Sequence, residues 1–257
     1  MLDLFLVKAE TFFLVLARIL SFWMVAPFFG HQGFPMPMRV AAALVISFLV
    51  FPNVAPPAVS SSTVLDYALL AGKEVVVGMI LGFVAQFIFW GVRFSGQIIS
   101  FLMGFSMVTT IAPDTREQIS IIGTFQWLFA IMFFLLLDGH FLLLEALVKS
   151  FQLVPLVGAT LSSGLVAYVA KLSAGIFVIA IQMSAPVLVT IFMTNVSLAM
   201  LARMVPQMNV FIVGFPLTIS IGLITMIIVS PIFVVIIQHL LADLRESVAV
   251  ILRLLGA

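Results

Sequence analysis

Residues 204–242 read MVPQMNVFIVGFPLTISIGLITMIIVSPIFVVIIQHLLA, without one Asp, Glu, Lys or Arg. An apolar run of about 18 residues already marks a membrane helix, because backbone polar groups in hydrocarbon must be satisfied within their own segment. The interval is too long for one such helix. Pro206 and Pro216 offer the division, since proline removes a helical donor and biases its predecessor toward extended backbone. The reading is a break from Pro206 to Pro216 and a helix over 217–254.

The same logic extends outward. After an apolar segment over 4–29, charge-free intervals follow at 40–59, 75–92, 94–113, 118–137, 150–170 and 172–202. Pro27 to Pro37, Pro52 to Pro57, Pro113 and Pro155 supply further breaks. Helices are expected near 4–26, 38–51, 64–92, 94–111, 118–149 and 160–202, some kinked or split into hairpins. Ser60-Ser61-Ser62-Thr63 before Val64 is the clearest helix start, because a hydroxyl can accept a hydrogen bond from an orphaned helical N–H. The fold class is all-α: a polytopic membrane protein of helical hairpins with several Pro- and Gly-broken helices.

Composition agrees. The chain is 64% hydrophobic and 8% charged, against about 25% charged in an ordinary soluble domain. Its 257 residues leave room for roughly six or seven spans of about 20 residues, so one domain over 1–257 is expected. A net charge of +1 with no run of Lys or Arg excludes a nucleic-acid patch and a polybasic lipid-binding segment. The absence of cysteine removes disulfides, thiolate metal sites and a thiol nucleophile together. No basic region precedes the first apolar stretch, which Lys8, Glu10 and Arg18 interrupt; a cleaved signal peptide is not expected. The positive-inside signal is weak.

Arg18, Lys73, Glu74, Lys171 and Arg203 lie in apolar surroundings, where a charge at mid-span costs about 2.5–3.5 kcal/mol. Each either snorkels, pairs with a neighbouring helix or lines a pore. Glu74, Gly78, Gly82 and Ala85 follow steps of three and four and form one stripe. Its Gly78 and Gly82 are spaced for close helix packing. A polar stripe of Thr190, Thr194 and Ser197, with Asn195, Gln182 and Ser184 nearby, is expected to make buried interhelical hydrogen bonds. Met200, Met204 and Met208 read first as core filler, and second as a surface able to repack.

No glycine-rich phosphate loop, nucleophile elbow or metal-ligand pattern occurs. His31, His140 and His239 are far apart, and Asp138 beside His140 has no hydroxyl nucleophile next to it in sequence. No enzyme activity, metal or cofactor is expected.

Arg203-Met204-Val205-Pro206-Gln207-Met208-Asn209-Val210-Phe211, followed by Gly214-Phe215-Pro216-Leu217 and Gly222-Leu223, closely resembles the signature of the flagellar biosynthesis protein FliR family. Ala17-Arg18 with Pro27-Phe28-Phe29-Gly30, Glu74 with Gly78 and Gly82, Gly96-Gln97, Gly104-Phe105-Ser106, Gly139-His140, Ser150-Phe151 and Pro155-Leu156 extend the resemblance over nearly the full length. The chain departs from the family at Thr218, where a basic residue is frequent, and at Ala112-Pro113-Asp114, where an acid often precedes the proline. The T-type component of injectisomes shares the Pro-Gln-x-Asn core; Gly214-Phe215-Pro216 and the compact C-terminus look more flagellar.

The resemblance implies a subunit of the flagellar type III export gate, in the bacterial inner membrane at the basal body. Its implied partners are P-type and Q-type subunits, the B-type export component, unfolded export substrates and membrane lipid, in a helical array around a channel. It further implies an assembly or structural role for Arg203, Pro206, Gln207, Asn209, Gly214 and Pro216. Gly104, Phe105, Ser106 and Met107 through Pro113 and Asp114 resemble the segment that plugs the closed channel; an ordinary interhelical loop is the other reading. A secondary transporter of a small solute is the alternative from a different class, but it would need paired inverted halves. The faint echo of Pro27 and Gly33-Phe34-Pro35 in Pro206 and Gly214-Phe215-Pro216, at unequal spacing, does not supply them.

Overall fold

The structure, a computed structural model, describes residues 2–30, 35–57, 63–105, 120–207 and 209–256. Among these the chain is all-α. Its helices are α1 (Leu2–Val25), α2 (Met36–Val50) with a 3-10 turn at Phe51–Asn53, α3 (Val64–Leu102), α4 (Ile121–Leu136), α5 (Gly139–Leu153), α6 (Ser163–Met204) and α7 (Val210–Gly256).

Three expectations are corrected. Residues 64–102 form one helix of 39 residues instead of two meeting near Arg93, because Arg93 is exposed and leaves the backbone ladder uninterrupted. The expected helix over 118–149 is broken into α4 and α5 at Asp138, which adopts left-handed backbone at φ 57°. Pro216 does not end the break after Pro206. It lies within the first turns of α7, which starts at Val210 and also accommodates Pro231. Asn209 accepts the first backbone bonds of α7 from Ile212, at 3.1 Å, and Val213, at 3.4 Å. The charge-free interval that seemed too long for one helix is therefore a turn followed by a single helix of 47 residues.

Two helix termini show why the chain stops where it does. Thr63 and Asp66 cap α3 reciprocally: the Asp66 N–H donates to Thr63 Oγ1 at 3.2 Å, and the Thr63 N–H to Asp66 Oδ2 at 3.1 Å. This is a capping box, with Asp in the place of the usual Glu or Gln. Ser60, Ser61 and Ser62 lie outside the described residues. At the other end, the Phe105 N–H donates to the Ser100 carbonyl at 3.1 Å and the Gly104 N–H to that of Phe101 at 3.0 Å. Gly104 sits at φ 87°. That pair of bonds with a left-handed residue between them is a Schellman stop, and it ends the helix well short of the 111 expected.

The chain divides into two compact units. The first comprises 1–87, 135–173 and 241–257; the second comprises 88–134 and 174–240. In the first, α1 packs against α2, Phe12 meeting Phe51 edge-to-face at 5.6 Å. The end of α7 is tied to the segment before α6, where the Thr160 N–H donates to the Leu255 carbonyl at 2.9 Å. The second unit is built around Ile99, Met103, Ile122, Val187, Ile191 and Met226, all buried, with Leu102, Phe105 and Ile219 against them.

Among the described residues, four helices are long and apolar enough to cross a membrane, or five if α4 and α5 count as one broken span. At about 1.5 Å per residue, α3, α6 and α7 would measure roughly 58, 63 and 70 Å, about twice a hydrocarbon core of ~30 Å.

Candidate functional site

In the first unit, the stripe on α3 meets α1. A Cβ on Gly78 would overlap the Arg18 carbonyl and the Ser21 hydroxyl, and one on Gly82 would lie 2.9 Å from the Phe22 carbonyl oxygen. The two helices touch backbone to backbone there, and this proximity carries Arg18 and Glu74 into the interior together. Both are fully buried, with Arg18 Nε donating to Glu74 Oε2 at 2.5 Å. Arg18 Nη1 donates to the carbonyls of Ser150, at 3.1 Å, and Val154, at 3.0 Å. Its guanidinium carbon lies 4.5 Å from the centre of the Phe151 ring.

The second oxygen of Glu74 reaches a different element. Oε1 accepts the Val157 N–H at 2.7 Å. Val157 stands at φ 68°, rare for a β-branched residue. One ion pair thus joins α1, α3, the end of α5 and the strained turn before α6. Buried charge is tolerable when its remaining lone pairs and protons are also bonded, and nearly all are. The other embedded charges behave differently: Lys73, Lys171 and Arg203 are exposed.

In the second unit, α3 and α4 approach through Gly96 and Gly123, where a Cβ on Gly96 would collide with the Gly123 backbone. Beside them Ser95 Oγ donates to Gln126 Oε1 at 2.6 Å. Gly123, Ser95 and Gln126 escaped sequence reading; the signal for Gly123 and Gln126 was their spacing of three in a helix whose one other polar residue is Thr124. At the end of α3, Gly104 lies against the Phe215 ring, and Gly222 leaves room for Met103. Thr218, at the departure from the family pattern, donates to the Met103 carbonyl at 3.4 Å and the Phe215 carbonyl at 3.1 Å. Met103, Gly104, Phe215 and Thr218, with Asn195 and Gly214, line a cleft of about 300 Å³.

Gly104 and Phe105 are thus part of a helix stop packed on a core, while Ser106, Met107, Pro113 and Asp114 lie outside the described residues. Pro206, Gln207 and Asn209 form the exposed turn between α6 and α7, with Arg203 exposed just before it; no ion pair joins Arg203 to another described residue. The polar stripe on α6 is not interhelical: Thr190 donates to the Pro186 carbonyl, Thr194 to that of Thr190 and Ser197 to that of Met193, all within the helix at 2.8–2.9 Å. Satisfying a hydroxyl this way needs no neighbour. Met200 and Met204 are exposed, at 63% and 78%, so neither fills a core; Met208 lies outside the described residues. Among the described residues no cluster of three or more His, Asp or Glu could hold a metal.

The family described as Bacterial export proteins, family 1, matches residues 9–244. The flagellar biosynthetic protein FliR of Bacillus subtilis (strain 168) is 35% identical over 99% of this chain and 98% of its own length. The chain belongs to the FliR family. The FliR of Escherichia coli (strain K12) is 29% identical, covering 93% of this chain and 91% of its own, and that of Aquifex aeolicus (strain VF5) is 28% identical over 89% and 90%. The buried ion pair, the two glycine contacts and the α6–α7 turn are therefore features of a FliR-like export-gate subunit.

Proposed function

We propose that residues 1–257 act as a single membrane unit, a structural and channel subunit of the flagellar type III export gate. It joins P-type and Q-type subunits, and the B-type component, in the bacterial inner membrane at the flagellar basal body. Unfolded export substrates pass through the assembly. The observation that carries this reading is the mismatch between helix length and self-packing. The most apolar windows of α6 and α7 are only 33% and 22% buried within the chain, although both helices are about twice as long as a bilayer's hydrocarbon core is thick.

Ile212, Ile227, Ile228, Phe177, Ile181 and Phe192 are among the large side chains more than half exposed on these two helices. Lipid can cover only about half of such a length, and apolar surface beyond it calls for protein neighbours. Arg203 and the Pro206-Gln207-Asn209 turn then form an assembly element, with Gly214 and Pro216 at the start of α7. Arg203 pairs across a subunit boundary. Gly104, Phe105, Ser106, Met107, Pro113 and Asp114 belong to the segment that plugs the closed channel, and Glu74, Gly78 and Gly82 hold the subunit's own helices together.

Deleting the chain in its native cell should abolish secretion of flagellar substrates into the medium, and supplying it in trans should restore it. Undiminished secretion after deletion would overturn the proposal.

A further inference from the structure

Among its described residues the second unit carries only two charged side chains, Arg93 and Arg203, and no acid. The two acids in its sequence, Asp114 and Glu117, lie outside the described residues. Arg93 stands between the uncharged runs 75–92 and 94–113, it is exposed, and no hydrogen bond or ion pair joins its side chain to a described residue. It opens into a cleft of about 400 Å³ on α3 and α6, lined by Trp90, Arg93, Phe94, Gln97, Ile176 and Phe177. Phe94 and Phe177 meet edge-to-face at 5.7 Å and form one wall.

Gln97 follows Arg93 by four residues, so guanidinium and amide emerge on one face of α3. The guanidinium keeps its proton in any protein setting, and it offers two parallel N–H groups to a carboxylate. The amide adds a donor for a carboxylate lone pair left free. A lipid headgroup would separate an apolar side from a polar one, yet α3 exposes large apolar residues both before Arg93, at Met79 and Phe83, and after it, at Phe101. Aromatic walls around a charge pair exclude water and strengthen it.

We infer that this cleft receives an Asp or Glu side chain carried on an apolar helix of a neighbouring export-gate subunit, bound by Arg93 and Gln97. The inference rests on the gate reading and names the chemistry of one contact within it.

A photo-crosslinking amino acid at Phe177, in the full chain within native membranes, tests it. The adduct should map to a different subunit, within about one helical turn of an acid. Arg93→Glu should cut recovery of the complex by about tenfold or more at unchanged chain abundance, as expected when one member of a covered charge pair is reversed. Exchanging the mapped acid for Arg should restore it. A lipid-only adduct, an adduct to Asp114 or Glu117 of the same chain, no adduct, or full recovery of the Arg93→Glu complex would each overturn it. If the wild-type chain co-purifies with other export subunits while any of these is seen, this inference fails alone; if it co-purifies with none, the gate reading fails first.

Discussion

Glu74 holds Arg18 with one carboxylate oxygen, at 2.5 Å, and spends the other on a backbone N–H eighty-three residues along the chain. With the Arg18 bonds to the end of α5, the pair is a junction of four segments, and removing either member strands more than a charge. Glu74→Ala leaves Arg18 buried and the Val157 N–H without its acceptor, a loss of about 3–5 kcal/mol. The double variant R18M/E74L removes both charges and should recover much of it. Thermal unfolding of the purified chain in detergent checks the order; a single variant as stable as the double would contradict it.

Gly78 and Gly72 lie on the same helix in opposite circumstances. A Cβ at Gly78 has no room between Arg18 and Ser21, whereas one at Gly72 meets nothing within 4 Å. Gly78→Ala should cost about 1–3 kcal/mol through overpacking, and Gly72→Ala should gain up to about 1 kcal/mol from helix propensity. Equal melting temperatures for the two would refute a direct α1–α3 backbone contact.

Val157 carries its side chain at a backbone angle that suits glycine. Replacing it with Gly should remove roughly 1 kcal/mol of strain while keeping the N–H that Glu74 accepts. In the Glu74→Ala background the gain should persist, because the strain belongs to the turn. Destabilisation in both backgrounds, read from urea or thermal midpoints, would show that the Val157 side chain matters more than its angle.

Gly104→Ala places a methyl at φ 87° and 2.8 Å from the Phe215 ring. The left-handed angle alone costs about 1–2 kcal/mol. Loss of the stop should loosen the end of α3, with faster amide exchange at Gly104 and Phe105. Unaltered exchange and stability would argue against the Schellman geometry.

Arg203 is exposed, so Arg203→Ala should leave chain abundance unchanged while lowering recovery of the complex. Reduced abundance with normal assembly of what remains would give Arg203 a role in folding instead.

Much of this was legible in sequence because its physics is local or compositional. The helical class follows from uncharged runs, the start of α3 from Thr63, and the close packing of Gly78 and Gly82 from their spacing. What escaped depends on distant partners. Nothing near Arg18 or Glu74 announces the other, fifty-six residues away, or the turn at Val157. Pro216 looked like a breaker because proline's lost donor was given too much weight: one missing backbone bond in the second turn of α7, and another at Pro231, do not stop a helix of 47 residues. The Thr190 stripe misled for a similar reason, since a hydroxyl's own helix can satisfy it.

The most direct test is affinity purification of the chain from detergent-solubilised membranes of its native cell, with mass spectrometry of the intact complex. Recovery together with P-type and Q-type export subunits, at a mass well above that of one chain, is the expected result. A lone monomer or homodimer in several mild detergents would contradict it.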